Sequence, residues 1–93
     1  MGTATEKLDA TVVLRTVLLA IIKSSKKWGV SLAGHTASED TLGRMNKEEL
    51  VDFGEELHKD NYFWSCFDFE AKRNLKRTTN HKFALGNALA LHY

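Results

Sequence analysis

Apolar residues recur at helical spacing along most of the chain, and they predict an all-α fold. In the first segment, residues 5–28, setting successive residues 100° apart places Asp9, Thr16 and Lys23 on one narrow polar stripe. Valine, leucine and isoleucine cover more than half of the remaining circumference. An apolar arc this wide predicts burial on more than one side. The segment is therefore expected to be either the central helix of a bundle or the seam of a homo-oligomer.

The clearest helical pattern covers residues 47–59. Asn46 stands three residues before Glu49, which is the spacing of a capping box. Leu50 and Leu57 lie on one face, and acidic residues occupy the opposite face. This arrangement predicts an amphipathic surface helix.

Two further helices are predicted at 61–77 and 80–92, with Asp60 as the cap of the first. The aromatic run 62–69 is apolar on both sides, and 83–91 alternates large and small residues, so a strand remains an alternative for both. As a helix, the first of these segments would bury one face made of Phe63, Trp64, Phe67, Ala71 and Leu75.

Residues 29–45 contain Gly29, Gly34 and Gly43 among serines and threonines, and they predict a long connecting loop. A short helical turn over 41–45 would shorten it. The chain as a whole, 1–93, is expected to form a single domain, a small bundle of three to four helices.

Composition narrows the class of protein further. The 93 residues are 43% apolar and include one cysteine and no proline, which excludes a disordered chain, a disulfide framework and a Cys-pair zinc site. The apolar run 12–22 is interrupted by Arg15 and is too short to span a membrane. We therefore expect no membrane association and a cytoplasmic location, which suits a single cysteine.

Charge is distributed unevenly, although the formal net charge is only +1. Residues 1–28 carry five basic and two acidic side chains, 29–61 carry three basic and eight acidic, and 62–93 carry five basic and two acidic. The simplest interpretation is that these segments complement one another within the fold, or are solvated faces.

A sharper hypothesis concerns the acidic face of the 47–59 helix. Closely spaced carboxylates on one helical face steer a basic partner and can imitate an array of phosphates. The leading expectation is a non-enzymatic inhibitor or regulator that blocks the basic surface of another protein. The residues of this face are Glu48, Glu49, Asp52, Glu55 and Glu56.

The alternative is nucleic-acid binding through the basic segment 72–82. Its cations could contact phosphates while the nearby Tyr62, Trp64 and Phe69 stack on bases. The near-neutral total charge counts against a dedicated nucleic-acid domain, and aromatic residues are more often core. The cations of this segment are Lys72, Arg73, Lys76, Arg77 and Lys82.

A second alternative is a small enzyme or metal protein that uses Cys66 and loop histidines such as His35. No two histidines are three or four residues apart, and His58 is the only histidine near Cys66 in the sequence. The chain has no GxGxxG, GxxxxGK[ST] or HExxH motif. We therefore expect no catalytic activity, no cofactor and no metal site.

Overall fold

The computed structural model describes residues 9–30, 38–75 and 81–93, and these residues form helices and turns without any strand. This confirms the prediction of an all-α bundle and shows that residues 62–69 and 83–90 are helical, whereas Leu91 lies in a turn. The helices among the described residues are α1 (Ala10–Trp28), α2 (Glu39–Arg44), α3 (Lys47–Lys59), α4 (Asn61–Leu75) and α5 (His81–Ala90).

Helix α1 is the centre of the bundle, because it contacts each of the other four helices. Leu14, Leu18, Ile21 and Ile22 have no exposed surface. The wide apolar arc of this helix is thus covered by the chain's own helices, and no second copy is needed to bury these residues. Val12 is an exception to the predicted arc, since 48% of its surface is exposed.

The ends of α1 are set by local capping. Asp9 accepts a hydrogen bond from the Thr11 backbone N–H at 2.8 Å, so the helix begins at Ala10 and the predicted start at residue 5 is wrong. Thr3 and Glu6 have the spacing of a capping box, which predicts a helix start near residue 5, and both lie outside the described residues. At the other end Gly29 has φ 73°, a left-handed conformation that favours glycine and ends the helix.

Helix α2 forms within the region 29–45, which was predicted to be mainly loop. Ser38 caps it, and acidic residues fill its first turn. Its C-terminal end is satisfied by α1: Arg15 Nε donates to the Leu42 carbonyl at 3.2 Å, and Arg15 Nη2 donates to the Met45 carbonyl at 2.9 Å. One side chain thereby ties the central helix to the segment that leads into α3.

Gly54 of helix α3 lies against side chains of both α1 and α5. A Cβ atom built at this position would lie 3.0 Å from Leu89 Cδ2, 3.5 Å from Leu14 Cδ1 and 3.6 Å from Leu85 Cδ1. The missing side chain is what allows the three helices to meet here.

An aromatic cluster joins the end of α1 to α4 and α5. The Phe67 ring lies 5.0 Å from the Trp28 ring, 5.5 Å from the Phe63 ring and 5.3 Å from the His81 ring, measured between centroids. The predicted buried face of α4 is confirmed for the four members whose side chains are described: Phe63, Trp64, Phe67 and Ala71.

Across the described residues, the structure contains no helix with the length and apolar character needed to cross a membrane.

Candidate functional site

The N-cap and the core contacts of helix α3 set the orientation of its acidic face. The predicted capping box is confirmed, because the Asn46 side chain accepts from the Glu49 N–H at 2.9 Å and the Glu49 carboxylate accepts from the Asn46 N–H at 3.0 Å. Leu50 and Leu57 are fully buried on the opposite side. The rotation of α3 is therefore fixed by its core contacts, and the carboxylates face outward.

The five predicted carboxylates do not form one uniform set. Glu49 is used by the capping box, and Glu55 accepts a hydrogen bond from the Tyr93 hydroxyl. The side chains of Glu48, Asp52 and Glu56 are exposed, and no described residue forms a hydrogen bond or ion pair with them. We call these three residues the acidic stripe.

The acidic stripe is regular, since its members are four residues apart and so lie one turn above another, roughly 6 Å between neighbours. Carboxylates at this spacing repel each other, which costs about 0.2–0.5 kcal/mol for each adjacent pair. For Glu48, the favourable interaction of a negative charge with the helix N-terminus offsets part of this cost. Asp52 and Glu56 lie beyond the first turn and gain nothing there.

Tyr93 lies beside α3, next to the acidic stripe. Its hydrogen bond to Glu55 raises the pKa of Tyr93 above its ordinary value of 10.0. A surface groove of about 340 Å³ lies beside the Tyr93 ring and is lined by Glu48, Asp52 and Val51 among others. Two residues of the acidic stripe, Glu48 and Asp52, therefore line an open groove together with Tyr93 and Lys47.

The basic segment 72–82 is only partly within the described residues. Lys72 and Arg73 are exposed in the last turn of α4, and Lys82 is exposed on α5. Lys76 and Arg77 lie outside the described residues, so the predicted ridge that includes them has no structural description. Arg73 Nη1 lies 3.9 Å from Glu70 Oε2, which is a weak ion pair at an exposed position.

The aromatic residues near this segment separate into two groups. Trp64 is buried, and its Nε1 donates to the Leu57 carbonyl at 2.8 Å, so the expectation that it stacks on a base is wrong. Tyr62 and Phe69 are instead 73% and 64% exposed. The helical period separates these two faces, and Trp64 belongs to the face that the sequence predicts to be buried.

In the described part of the chain, the cysteine and the histidines have different surroundings. Cys66 is half-buried against the hydrophobic core, and the His58 ring packs over Gly86 on α5. His81 belongs to the aromatic cluster, where burial lowers its pKa below 6.5. His35 lies outside the described residues. The described parts of the chain contain no group of three or more potential metal ligands.

Arg15 and Tyr93 make long-range contacts that the sequence pattern does not predict. Arg15 was visible only as an interruption of an apolar run, and Tyr93 carried no signal at all. Neither the Arg15 bonds to α2 nor the Tyr93 bond to Glu55 follows from spacing, because each joins residues 27 to 38 positions apart.

The fold and this surface define a small all-α domain with a charged helical face. No protein-family model, curated protein or solved structure matches the chain.

Proposed function

We propose that this protein is a non-enzymatic binding protein that docks on a basic surface of another protein through the acidic stripe of α3. The observation that carries the proposal is the set of three exposed carboxylates, Glu48, Asp52 and Glu56, which have no partner among the described residues. Within the described residues, no ion pair with a basic segment accounts for them.

The physical argument rests on an uncompensated cost. Like charges one turn apart weaken the helix, and no described residue forms an ion pair with Asp52 or Glu56. Local rules of stability are most often broken at functional positions. A basic partner would supply the missing cations and turn the repulsion into binding energy.

The chemistry of the surface suggests how such a protein would act. A rigid row of carboxylates speeds association with a basic surface and competes with phosphates for it. We infer that the protein inhibits or regulates its partner by occupying that surface, which requires no catalytic group. The free thiol of Cys66 suits a reducing compartment, so we propose that this takes place in the cytoplasm.

The test compares matched pairs of neutralised carboxylates in the full chain. The first variant carries Glu48→Gln and Asp52→Asn, and the control carries Glu39→Gln and Asp40→Asn, which change the charge equally at exposed positions on α2. A partner is first isolated by affinity capture with the unmodified protein and then purified.

Binding to the purified partner is measured by calorimetry at several salt concentrations. We expect the α3 variant to bind more weakly and with a smaller salt dependence, while the α2 control binds like the unmodified protein. Equal affinity of the α3 variant and the unmodified protein would show that the acidic stripe is not the docking surface. Circular dichroism of both variants checks that the helices are intact.

A further inference from the structure

The outward face of α4 combines exposed aromatic rings with cations. Tyr62, Ser65, Phe69, Lys72 and Arg73 fall within an arc of about 100° when successive residues are set at helical intervals. All five are exposed: Tyr62 and Phe69 as given above, and the Arg73 side chain by 70%. We call this set the aromatic-basic face.

The rings of this face are not part of the core. The ring contacts of the described residues join Phe63, Trp64, Phe67, Trp28 and His81, and neither Tyr62 nor Phe69 takes part in them. Two large aromatic rings on this helix face leave apolar surface in contact with water, and such exposed surface does not stabilise the fold.

We propose that the aromatic-basic face binds single-stranded nucleic acid, with bases stacked on Tyr62 and Phe69 and phosphates held by Lys72 and Arg73. Every base has a π-face, and stacking platforms next to cations are the usual means of binding single strands without sequence preference. No acidic residue lies within the arc, and the weak pairing of Arg73 with Glu70 leaves its guanidinium open to a phosphate.

The pattern of the aromatic-basic face favours single-stranded nucleic acid over an apolar partner. The rings are seven residues apart, roughly 10 Å along the helix axis. Ser65 stands between them on the exposed side, so the face has no continuous apolar stripe of the kind that fits a hydrophobic groove or a lipid surface. Two separated flat rings beside cations match separate bases and a charged backbone.

This surface is independent of the acidic stripe, because the two lie on different helices. The near-neutral charge of the whole chain does not exclude it, since acidic and basic residues are segregated and α4 carries its cations on one face. Binding of nucleic acid here would be a second interaction of the protein, and its failure would leave the docking proposal for α3 unaffected.

The test titrates the full chain into a fluorescein-labelled oligothymidylate and follows fluorescence anisotropy. We expect binding at about 50 mM salt that weakens toward about 200 mM. Tyr62→Ala and Phe69→Ala should each weaken binding by about 5- to 150-fold, which corresponds to the loss of one stacked base. The matched control is Phe83→Ala, because Phe83 is 70% exposed but lies on α5, and it should bind like the unmodified protein.

A second pair of variants tests the cations independently of the rings. Lys72→Gln and Arg73→Gln should each reduce the slope of log affinity against log salt by about 0.7. Unchanged circular dichroism and thermal midpoints of all variants show that the fold is retained.

Three results would overturn the proposal. The first is no binding of the oligonucleotide at low salt, and the second is an equal loss of binding in the Phe83→Ala control. The third is that Tyr62→Ala and Phe69→Ala leave oligonucleotide binding unchanged and instead weaken binding to phosphatidylserine vesicles, or self-association measured by sedimentation.

Discussion

The close approach of three helices at Gly54 gives the most quantitative test of how α3 is held. We consider Gly54→Val, which places three additional carbon atoms where even a single Cβ would be 3.0 Å from Leu89 Cδ2. Leu14 Cδ1 and Leu85 Cδ1 lie 3.5 Å and 3.6 Å from the same Cβ, and Gly54 is buried, so the two γ carbons of valine would enter a packed region. The helices must separate, or the leucines must leave their preferred rotamers.

The expected magnitude follows from two opposing terms. Replacing glycine by valine within a helix gains a few tenths of a kcal/mol in propensity. Forcing extra carbons into a close-packed core costs about 1–3 kcal/mol. The net loss for a domain of this size would lower the thermal midpoint by about 4–20 °C.

The control is Gly43→Val on α2, where a Cβ meets no atom within 4 Å. The propensity term is the same there and the packing term is absent, so stability should stay level or rise slightly. Urea and thermal unfolding followed by circular dichroism measure both variants. If Gly54→Val is as stable as Gly43→Val, the description of the contact between α3, α1 and α5 is wrong.

Three further substitutions test other parts of the fold. Asn46→Ala removes the cap of α3 and should lower the free energy of unfolding, measured in urea, by about 0.5–2 kcal/mol. Asn87→Ala, at an exposed position within α5, should not lower it, and equal effects of the two variants would contradict the capping role. Trp64→Phe removes the buried bond to the Leu57 carbonyl and should cost at least about 1 kcal/mol, so an unchanged urea midpoint would refute that bond's contribution. Because burial lowers the pKa of His81, the unfolded chain binds its proton more readily, and stability should fall as pH drops below about 6.5. His81→Phe should reduce that loss between about pH 7 and pH 5, and an identical pH dependence would show that His81 does not titrate in this way.

Local patterns accounted for much of the secondary structure. The helix at 47–59 was predicted with its observed bounds because Asn46 and Glu49 form a capping box that is readable from spacing alone. The first helix was predicted to start at residue 5, because Thr3 and Glu6 have the spacing of a capping box and Asp9 fits the polar stripe, whereas Asp9 is in fact the cap. Ser38 with two acidic residues directly after it is an N-cap pattern that indicates the start of α2, although region 29–45 was predicted to be mainly loop.

The candidate site was predictable in composition but not in its details. The helical period placed five carboxylates on one face of α3, and it could not show that two of them would be engaged. The Glu49 bond is local and follows from the capping box, whereas the bond from Tyr93 to Glu55 depends on how α5 packs against α3. The separation of Tyr62 and Phe69 from Trp64 follows from the helical period, because the face predicted to be buried includes Trp64 and leaves out the other two. How far Tyr62 and Phe69 are exposed depends on the packing of α4 against its neighbours.

The central claim is that the free carboxylates of α3 drive association with a basic partner. The most direct measurement is the association rate constant with the purified partner as a function of salt, for the unmodified protein and for the variant Asp52→Lys with Glu56→Lys. We predict that the rate constant of the unmodified protein falls steeply with salt, and that the variant associates more slowly with little salt dependence. Equal rate constants and equal salt dependence for the two proteins would contradict the claim.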